Sequence, residues 1–226
     1  MAAERYLPTE LFSLVFFAVY NDAKDKAESM MARTSYELVD TLLVCRRWND
    51  IVCQTPKLWT TVYVAHDPDA SVRAQTYANR ARGLEIDVVV TALKEFSAEN
   101  CGKAFEQLLH DHSPRLRSIT LPFLTSHISE SLRKPLPNLL SLTYTPNLLY
   151  DYHRSDTSVI LDTPKLETLV LSNLDLSFVG DNWPILRSLD CIFSVGHEKW
   201  VWSLLGVSQN TLENLVLLDS DNALET

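Results

Sequence analysis

One apolar pattern recurs five times in the second half of this 226-residue chain, and it restricts the fold more than any other feature. Aligned on its leucines, it begins as Pro114-Arg115-Leu116-Arg117-Ser118-Ile119-Thr120-Leu121 and Pro137-Asn138-Leu139-Leu140-Ser141-Leu142-Thr143-Tyr144. It continues as Pro164-Lys165-Leu166-Glu167-Thr168-Leu169-Val170-Leu171 and Pro184-Ile185-Leu186-Arg187-Ser188-Leu189-Asp190-Cys191, and ends as Asn210-Thr211-Leu212-Glu213-Asn214-Leu215-Val216-Leu217. The first leucines of successive units lie 23, 27, 20 and 26 residues apart. Each unit is L-x-x-L-x-φ: a turn, then alternation at period two, as in a strand with one face turned inward. Such a unit cannot bury its apolar face alone, so the units must stack.

The segments before the repeats alternate between helix and strand. After Trp59, Thr60, Val62 and Val64 alternate with Thr61, Tyr63 and Ala65 as a strand. His66 to Ala70 is a short polar link, and the domain boundary is placed there, between residues 1–64 and 65–226. Ser71–Arg82 reads as a weakly amphipathic helix that Gly83 can end. Leu84, Ile86, Val88 and Val90 alternate as a second strand. Ser97 is a candidate cap for a helix carrying Cys101, Ala104, Phe105, Leu108 and Leu109 at helical spacing. Thr125–Lys134 reads as a helical return between repeat strands.

The first 64 residues are of another kind. Pro8 suits the first position of a helix, because its missing N–H would be an orphan there. Glu10 places negative charge in the first turn, where the helix dipole favours it. Leu11, Leu14, Val15, Ala18 and Val19 then share one face, while Phe12, Phe16, Phe17 and Tyr20 cover most of the other. A helix apolar nearly all round needs burial on two sides, and the few helices of so short a unit cover one. The other side is left for a partner. Further on, Thr34 with Glu37 makes a capping box, followed by one stripe of Leu38, Leu42 and Cys45 and another of Val44, Trp48 and Ile51. The segment reads equally as one helix or two, and it stops before Pro56.

Leu7-Pro8-Thr9-Glu10-Leu11, Val44-Cys45-Arg46-Arg47-Trp48 and Pro56-Lys57-Leu58-Trp59 together resemble the signature of the F-box: L-P-x-E-L, then V-C-[KR]-x-W, then P-x-L-W. The resemblance implies a three-helix module that docks on a Skp-family adaptor and, through it, on a cullin–RING ubiquitin ligase. It also implies a helix break near Val44–Arg46. Leu7, Pro8, Glu10, Leu11, Val15, Phe16, Val44, Cys45, Trp48 and Trp59 are then the candidate module core or adaptor contacts. The polar stretch Asn21–Arg33 departs from the family, standing as an inserted loop. The repeats resemble leucine-rich repeats, whose units run about 20–29 residues. The match is irregular, since the turn asparagine is met only at Asn147 and, one residue early, at Asn173. Both halves together resemble the F-box/leucine-rich-repeat proteins common in fungi. The implied fold class is α+β, a three-helix module followed by an irregular α/β solenoid shaped as an open horseshoe. Only Asp219–Thr226 follow the last strand, with no polar cap, so a truncated chain or a partner-covered end is expected.

The implied work is that of a substrate-recognition subunit holding an unidentified target protein on its repeats. A repeat scaffold acting outside any ligase, with the first helices as its end cap, is the alternative. Neither is an enzyme. The five glycines never form G-x-G or a Walker-type loop, and no G-x-S-x-G is present. No cofactor or metal is called for. His110 and His112 diverge by about 200° on a helix, which makes a shared ion unworkable and a solvated helix end the plain reading. His197-Glu198 is read as equally bland, and Cys45 as a small buried apolar side chain. Net charge is −9, of which residues 1–64 carry −1 (7 Lys/Arg against 8 Asp/Glu). That balance argues against nucleic acid or an anionic membrane, and Arg46-Arg47 is read as a rim contact to an acidic adaptor. Leu11–Tyr20 lacks the basic lead of a signal peptide, and no apolar run reaches the ~18 residues of a membrane span. Four scattered cysteines point to reduced thiols in the cytoplasm or nucleus. Trp183, Trp200 and Trp202 are expected to pack between repeats, unless one stands exposed as a target anchor.

Overall fold

A computed structural model of the chain describes residues 8–30, 42–65, 68–91, 98–146, 159–172, 176–179, 183–193 and 199–219; the side chains of residues 22–30, Ala98, Phe193 and Asp219 are outside that description. Leu7, the Thr34/Glu37 capping box, Ser97, Asn147, Asn173 and His197-Glu198 therefore lie outside the described residues.

Seven strands make one sheet, and all of them run parallel. They are β1 (Thr61–Val64), β2 (Ile86–Val90), β3 (Leu116–Leu121), β4 (Ser141–Tyr144), β6 (Thr168–Ser172), β8 (Ser188–Phe193) and β9 (Asn214–Asp219), adjacent in that order. A parallel neighbour requires a crossover connection. α3 (Ala70–Arg80), α4 (Ala98–His112), α5 (Ser126–Leu132) and α6 (Lys199–Ser208) supply four of these returns. The short strands β5 (Val159–Leu161) and β7 (Leu176–Phe178) pair with each other as a second, two-stranded parallel sheet. α1 (Thr9–Met30), α2 (Arg46–Cys53) and a 3-10 turn (Pro56–Trp59) precede β1. The architecture is thus mixed α/β around a parallel sheet, with six α-helices among the described residues.

The five aligned sequence units each supply one strand, and they pair in the register of the alignment. Ser118, Ser141, Thr168, Ser188 and Asn214 are successive partners, as are Ile119, Leu142, Leu169, Leu189 and Leu215. β1 and β2 extend the same rows, with Thr61 opposite Asp87 and Val62 opposite Val88. At the turn, the N–H groups of Leu140, Glu167, Arg187 and Glu213 each donate to the corresponding carbonyl of the unit before, at 2.8–2.9 Å. The first leucines of four units, Leu116, Leu139, Leu166 and Leu186, are buried, as are Ile119, Leu142, Leu169 and Leu189. Each such side chain is worth roughly 1.5–3 kcal/mol of transfer energy relative to exposure. The last unit differs: Leu215, Val216 and Leu218 on the edge strand β9 remain exposed.

The opposite edge is closed. All four residues of β1 are buried, on both faces, although the sequence alternation would have been met by burying one. The extra burial comes from the helices on either side, since α3 packs on β1 and on the 3-10 turn, which in turn touches α1. One contiguous apolar core runs from Phe12 and Phe16 through Trp59 and the strands to Leu204. The boundary expected after residue 64 falls just behind β1, so the sheet begins in the N-terminal segment. Helix ends follow local chemistry. Gly83, at φ +84°, and Arg82, at φ +48°, turn the chain out of α3 in the left-handed region that glycine tolerates best. The Thr125 hydroxyl caps α5 by accepting from the Ile128 N–H at 3.2 Å.

One expectation is corrected, and one choice that the sequence leaves open is decided. Asn21–Met30 continue α1 rather than forming an inserted loop. The stretch is polar but contains no glycine or proline, and Ala23, Lys24, Lys26, Ala27, Glu28 and Met30 are good helix formers. Downstream, of the two readings left open, the chain takes the break near Val44–Arg46 that the resemblance implies. Leu43 and Val44 form a turn and Cys45 is extended (φ −161°, ψ 166°), so α2 starts afresh at Arg46.

Candidate functional site

α1 begins at Thr9, and the Pro8 carbonyl accepts its first bonds from Leu11 N (3.1 Å) and Phe12 N (3.4 Å). Pro8 therefore sits just outside the helix rather than at its first position, a one-residue shift that leaves the proline's role unchanged. Glu10 lies exposed in the first turn.

The helix has two apolar faces, and the fold uses the aromatic one. Phe12 and Phe16 are buried against Trp48 of α2, with ring centroids 6.1 and 5.0 Å from the indole. Arg47 lies 5.0 Å over the Phe12 ring. It is thus engaged inside the module, while Arg46 is exposed. Farther along, the Tyr20 hydroxyl is buried beside Thr61 of β1 without a well-formed hydrogen bond, and burial pushes its pKa up to about 12. The aliphatic face is left in solvent: Leu11 is 45% exposed, Leu14 64%, Val15 56% and Val19 52%. These positions are spaced 3, 4 and 8 residues from Leu11, which makes them one continuous stripe. Of the two faces the sequence sets out, this stripe is the exposed one.

The candidate residues divide accordingly. Phe16 and Trp59 are core, and Trp48 is partly buried against it. Trp59 is fully buried, its indole N–H donates to the Val52 carbonyl at 2.9 Å, and its ring meets Tyr77 edge-on at 4.8 Å with Arg80 stacked above at 4.4 Å. Leu11, Val15 and Val44 (55% exposed) face solvent. Cys45 is half-buried rather than buried, and its carbonyl accepts from Asn49 N at 3.0 Å to start α2. Phe12, Leu14, Val19 and Leu43 were not among the candidates. Phe12 and Phe16 form an i, i+4 pair, but Leu11 and Val15 do as well, so spacing alone does not mark the inward face.

Elsewhere, Trp200 is buried and Trp183 packs on Phe178 at 5.0 Å, whereas Trp202 stands 61% exposed. The expected solvated end of α4 is half right: His110 is exposed and bonds Asp111, but His112 turns inward. Among the described residues no cluster of three or more His, Cys, Asp or Glu is placed to hold a metal ion. Among them, too, no helix is long and apolar enough to cross a membrane.

Comparison with known proteins bears on this N-terminal segment alone. No curated protein and no solved structure matches the chain. Residues 5–65, which take in α1, α2, the 3-10 turn and β1, match the F-box-like family model, and the chain therefore carries an F-box-like domain at that place.

Proposed function

We propose that this chain is the substrate-recognition subunit of a cullin–RING ubiquitin ligase. F-box domains generally bind Skp-family adaptors, and in this reading the adaptor joins the chain to the cullin. The observation that carries it is the stripe of Leu11, Leu14, Val15 and Val19, held in solvent on a helix whose Phe12 and Phe16 are buried on the other face. Four adjacent aliphatic side chains exposed on one helix are the anchors a helical partner buries. The repeats are read as an irregular leucine-rich-repeat solenoid, and the target as bound on the sheet face that does not pack inward. That face presents the row Ser118, Ser141, Thr168 and Ser188 and the row Thr120, Thr143, Val170 and Asp190, all half-exposed. The chain then performs no bond chemistry, and it acts by raising the local concentration of target near the ubiquitin-loaded enzyme.

The test is capture of a purified Skp-family adaptor by the full chain. Leu11→Glu with Val15→Lys should abolish capture and leave the far-ultraviolet circular dichroism and melting temperature unchanged, because the pair is exposed and oriented as a favourable i, i+4 ion pair. No capture by the unaltered chain, or equal capture by the variant, overturns the reading. Burial of β1 supports a second reading, in which the first helices serve only to close the sheet. That reading expects adaptor capture from neither protein.

A further inference from the structure

α3 and α4 are joined at one end by a chain of polar groups whose donor and acceptor roles are fully determined. The Asp111 carboxylate only accepts, so Gln75 must turn its amide NH2 toward it, at 2.8 Å. Gln107 and His110 donate to the same carboxylate at 2.9 and 2.8 Å. The Gln75 carbonyl oxygen is thereby aimed at His112 Nε2, 3.0 Å away, and Nε2 must carry the proton. Nδ1 is then an acceptor, and it faces the Arg115 guanidinium at 3.4 Å. Arg115 in turn donates Nε–H to the Leu84 carbonyl at 2.9 Å and Nη1–H to the Ala78 carbonyl at 3.1 Å. The Ala78 carbonyl would otherwise accept from Arg82, but Arg82 N–H bonds Asn79 instead, as the chain enters its left-handed turn. Arg115 thus replaces the missing partner at the C-terminal end of α3.

We infer that His112 is a proton-sensitive latch: neutral, it holds Arg115 on the end of α3, and protonated, it releases it. A proton added at Nδ1 turns the ring's only free acceptor into a donor pointed at a guanidinium. The hydrogen bond is lost and two cations face each other. The charged groups acting on the ring are Arg115, which opposes protonation, and Asp111, which favours it; the α3 group against it, Gln75, is neutral. Burial comes first among the causes and, with Arg115, holds the imidazole pKa below its usual 6.5. The unfolded chain therefore takes up the proton first. The stabilising contribution is intact above about pH 6.5 and declines as pH falls from there to the folded value, below which it changes no further. Release frees the carbonyls of Ala78 and Leu84 and loosens the turn between them, which carries α3 into β2.

Two measurements on the full chain test this. Long-range proton–nitrogen correlation spectra should find His112 protonated at Nε2 near neutral pH. Amide exchange across residues 78–84, normalised for intrinsic rates, should quicken several-fold as pH is lowered from about 8 to 5. Arg115→Ala should show the fast exchange at every pH, and His112→Gln should lose the pH dependence. An Nδ1–H tautomer, exchange that stays flat with pH, or a pH dependence that persists in His112→Gln would overturn the inference. If a variant fails to fold, the tautomer and the exchange profile of the unaltered chain still decide it.

Discussion

The same substitution, Trp→Phe, should be costly at Trp59 and nearly neutral at Trp202. Trp59 is fully buried, and its indole N–H donates to the Val52 carbonyl. That carbonyl keeps a second donor, Thr55 N–H at 3.2 Å, so Trp59→Phe removes one bond without orphaning the oxygen. The loss is worth about 1 kcal/mol. Phenyl is smaller than indole by about 40 Å³, and the space left between Val52, Tyr77 and Arg80 adds about 1 kcal/mol at the usual cost of cavity volume. Arg80 also exchanges the best cation–π partner for a poorer one, about 0.5 kcal/mol. The sum is about 2.5 kcal/mol, or a fall of roughly 5–10 °C in melting temperature for a chain of this size. Trp202 is 61% exposed, so Trp202→Phe should change stability by less than about 0.5 kcal/mol. Urea titrations and thermal melts followed by circular dichroism at the helical minimum measure both variants against the parent. Equal shifts, or a Trp59→Phe loss below about 1 kcal/mol, would refute the assignment of Trp59 to the shared core rather than to a contact surface.

Two further predictions follow from close contacts. Gly102→Ala adds a Cβ only 2.7 Å from Thr125 Oγ1 and 3.1 Å from His127 Cβ. The clash and the disturbed α5 cap should outweigh the gain of about 1 kcal/mol in helix propensity, for a net loss of about 1–2 kcal/mol in chemical denaturation. In a double-mutant cycle with Thr125→Ala the two changes should cost less together than their sum, since removing the hydroxyl opens the space. Arg117→Ala takes away the partner that forks onto Asp87, a carboxylate left 8% exposed and held also by Ser118 Oγ at 2.7 Å. With the arginine itself half in solvent, the expected loss is about 1–2 kcal/mol, and it should shrink when Asp87→Ala is already present.

Register is legible in the sequence. Aligning on leucines alone placed Ser118, Ser141, Thr168, Ser188 and Asn214 at one position, and these are the residues that pair across the sheet. An L-x-x-L-x-φ unit fixes both where its turn ends and which residues point inward, so neighbours have no freedom to slip. The orientation of α1 was not legible. With apolar residues on both sides, helical spacing gives the angle between Leu11 and Phe12 but not which of them faces inward. That choice is made by Trp48, 32 residues beyond Phe16, whose ring fits the Phe12/Phe16 pair. The same holds for Trp59: its P-x-L-W setting marks it, but Tyr77 and Arg80, which enclose it, come from α3. The inserted loop expected over Asn21–Arg33 fails, over Asn21–Met30, for a different reason. Its polarity suggests a loop, whereas the absence of glycine and proline is the stronger fact.

α1 thereby carries two obligations on two faces. Its aromatic side, with Tyr20 beside Thr61 at the first strand, helps close an edge that would otherwise offer unpaired backbone to other chains. Its aliphatic side takes no part in that closure. If the stripe existed only to stabilise the fold, Leu14 and Val15 would be expected to find neighbours, yet both are more than half exposed while Phe12 and Phe16 are nearly sealed. The two functions should therefore separate by mutation. Phe16→Ala should lower stability by about 3–5 kcal/mol and impair adaptor capture only in proportion to unfolding. Leu14→Glu should leave the melt unchanged and reduce capture outright. Capture that fell only in step with thermal stability across both variants would mean that the stripe has no partner of its own.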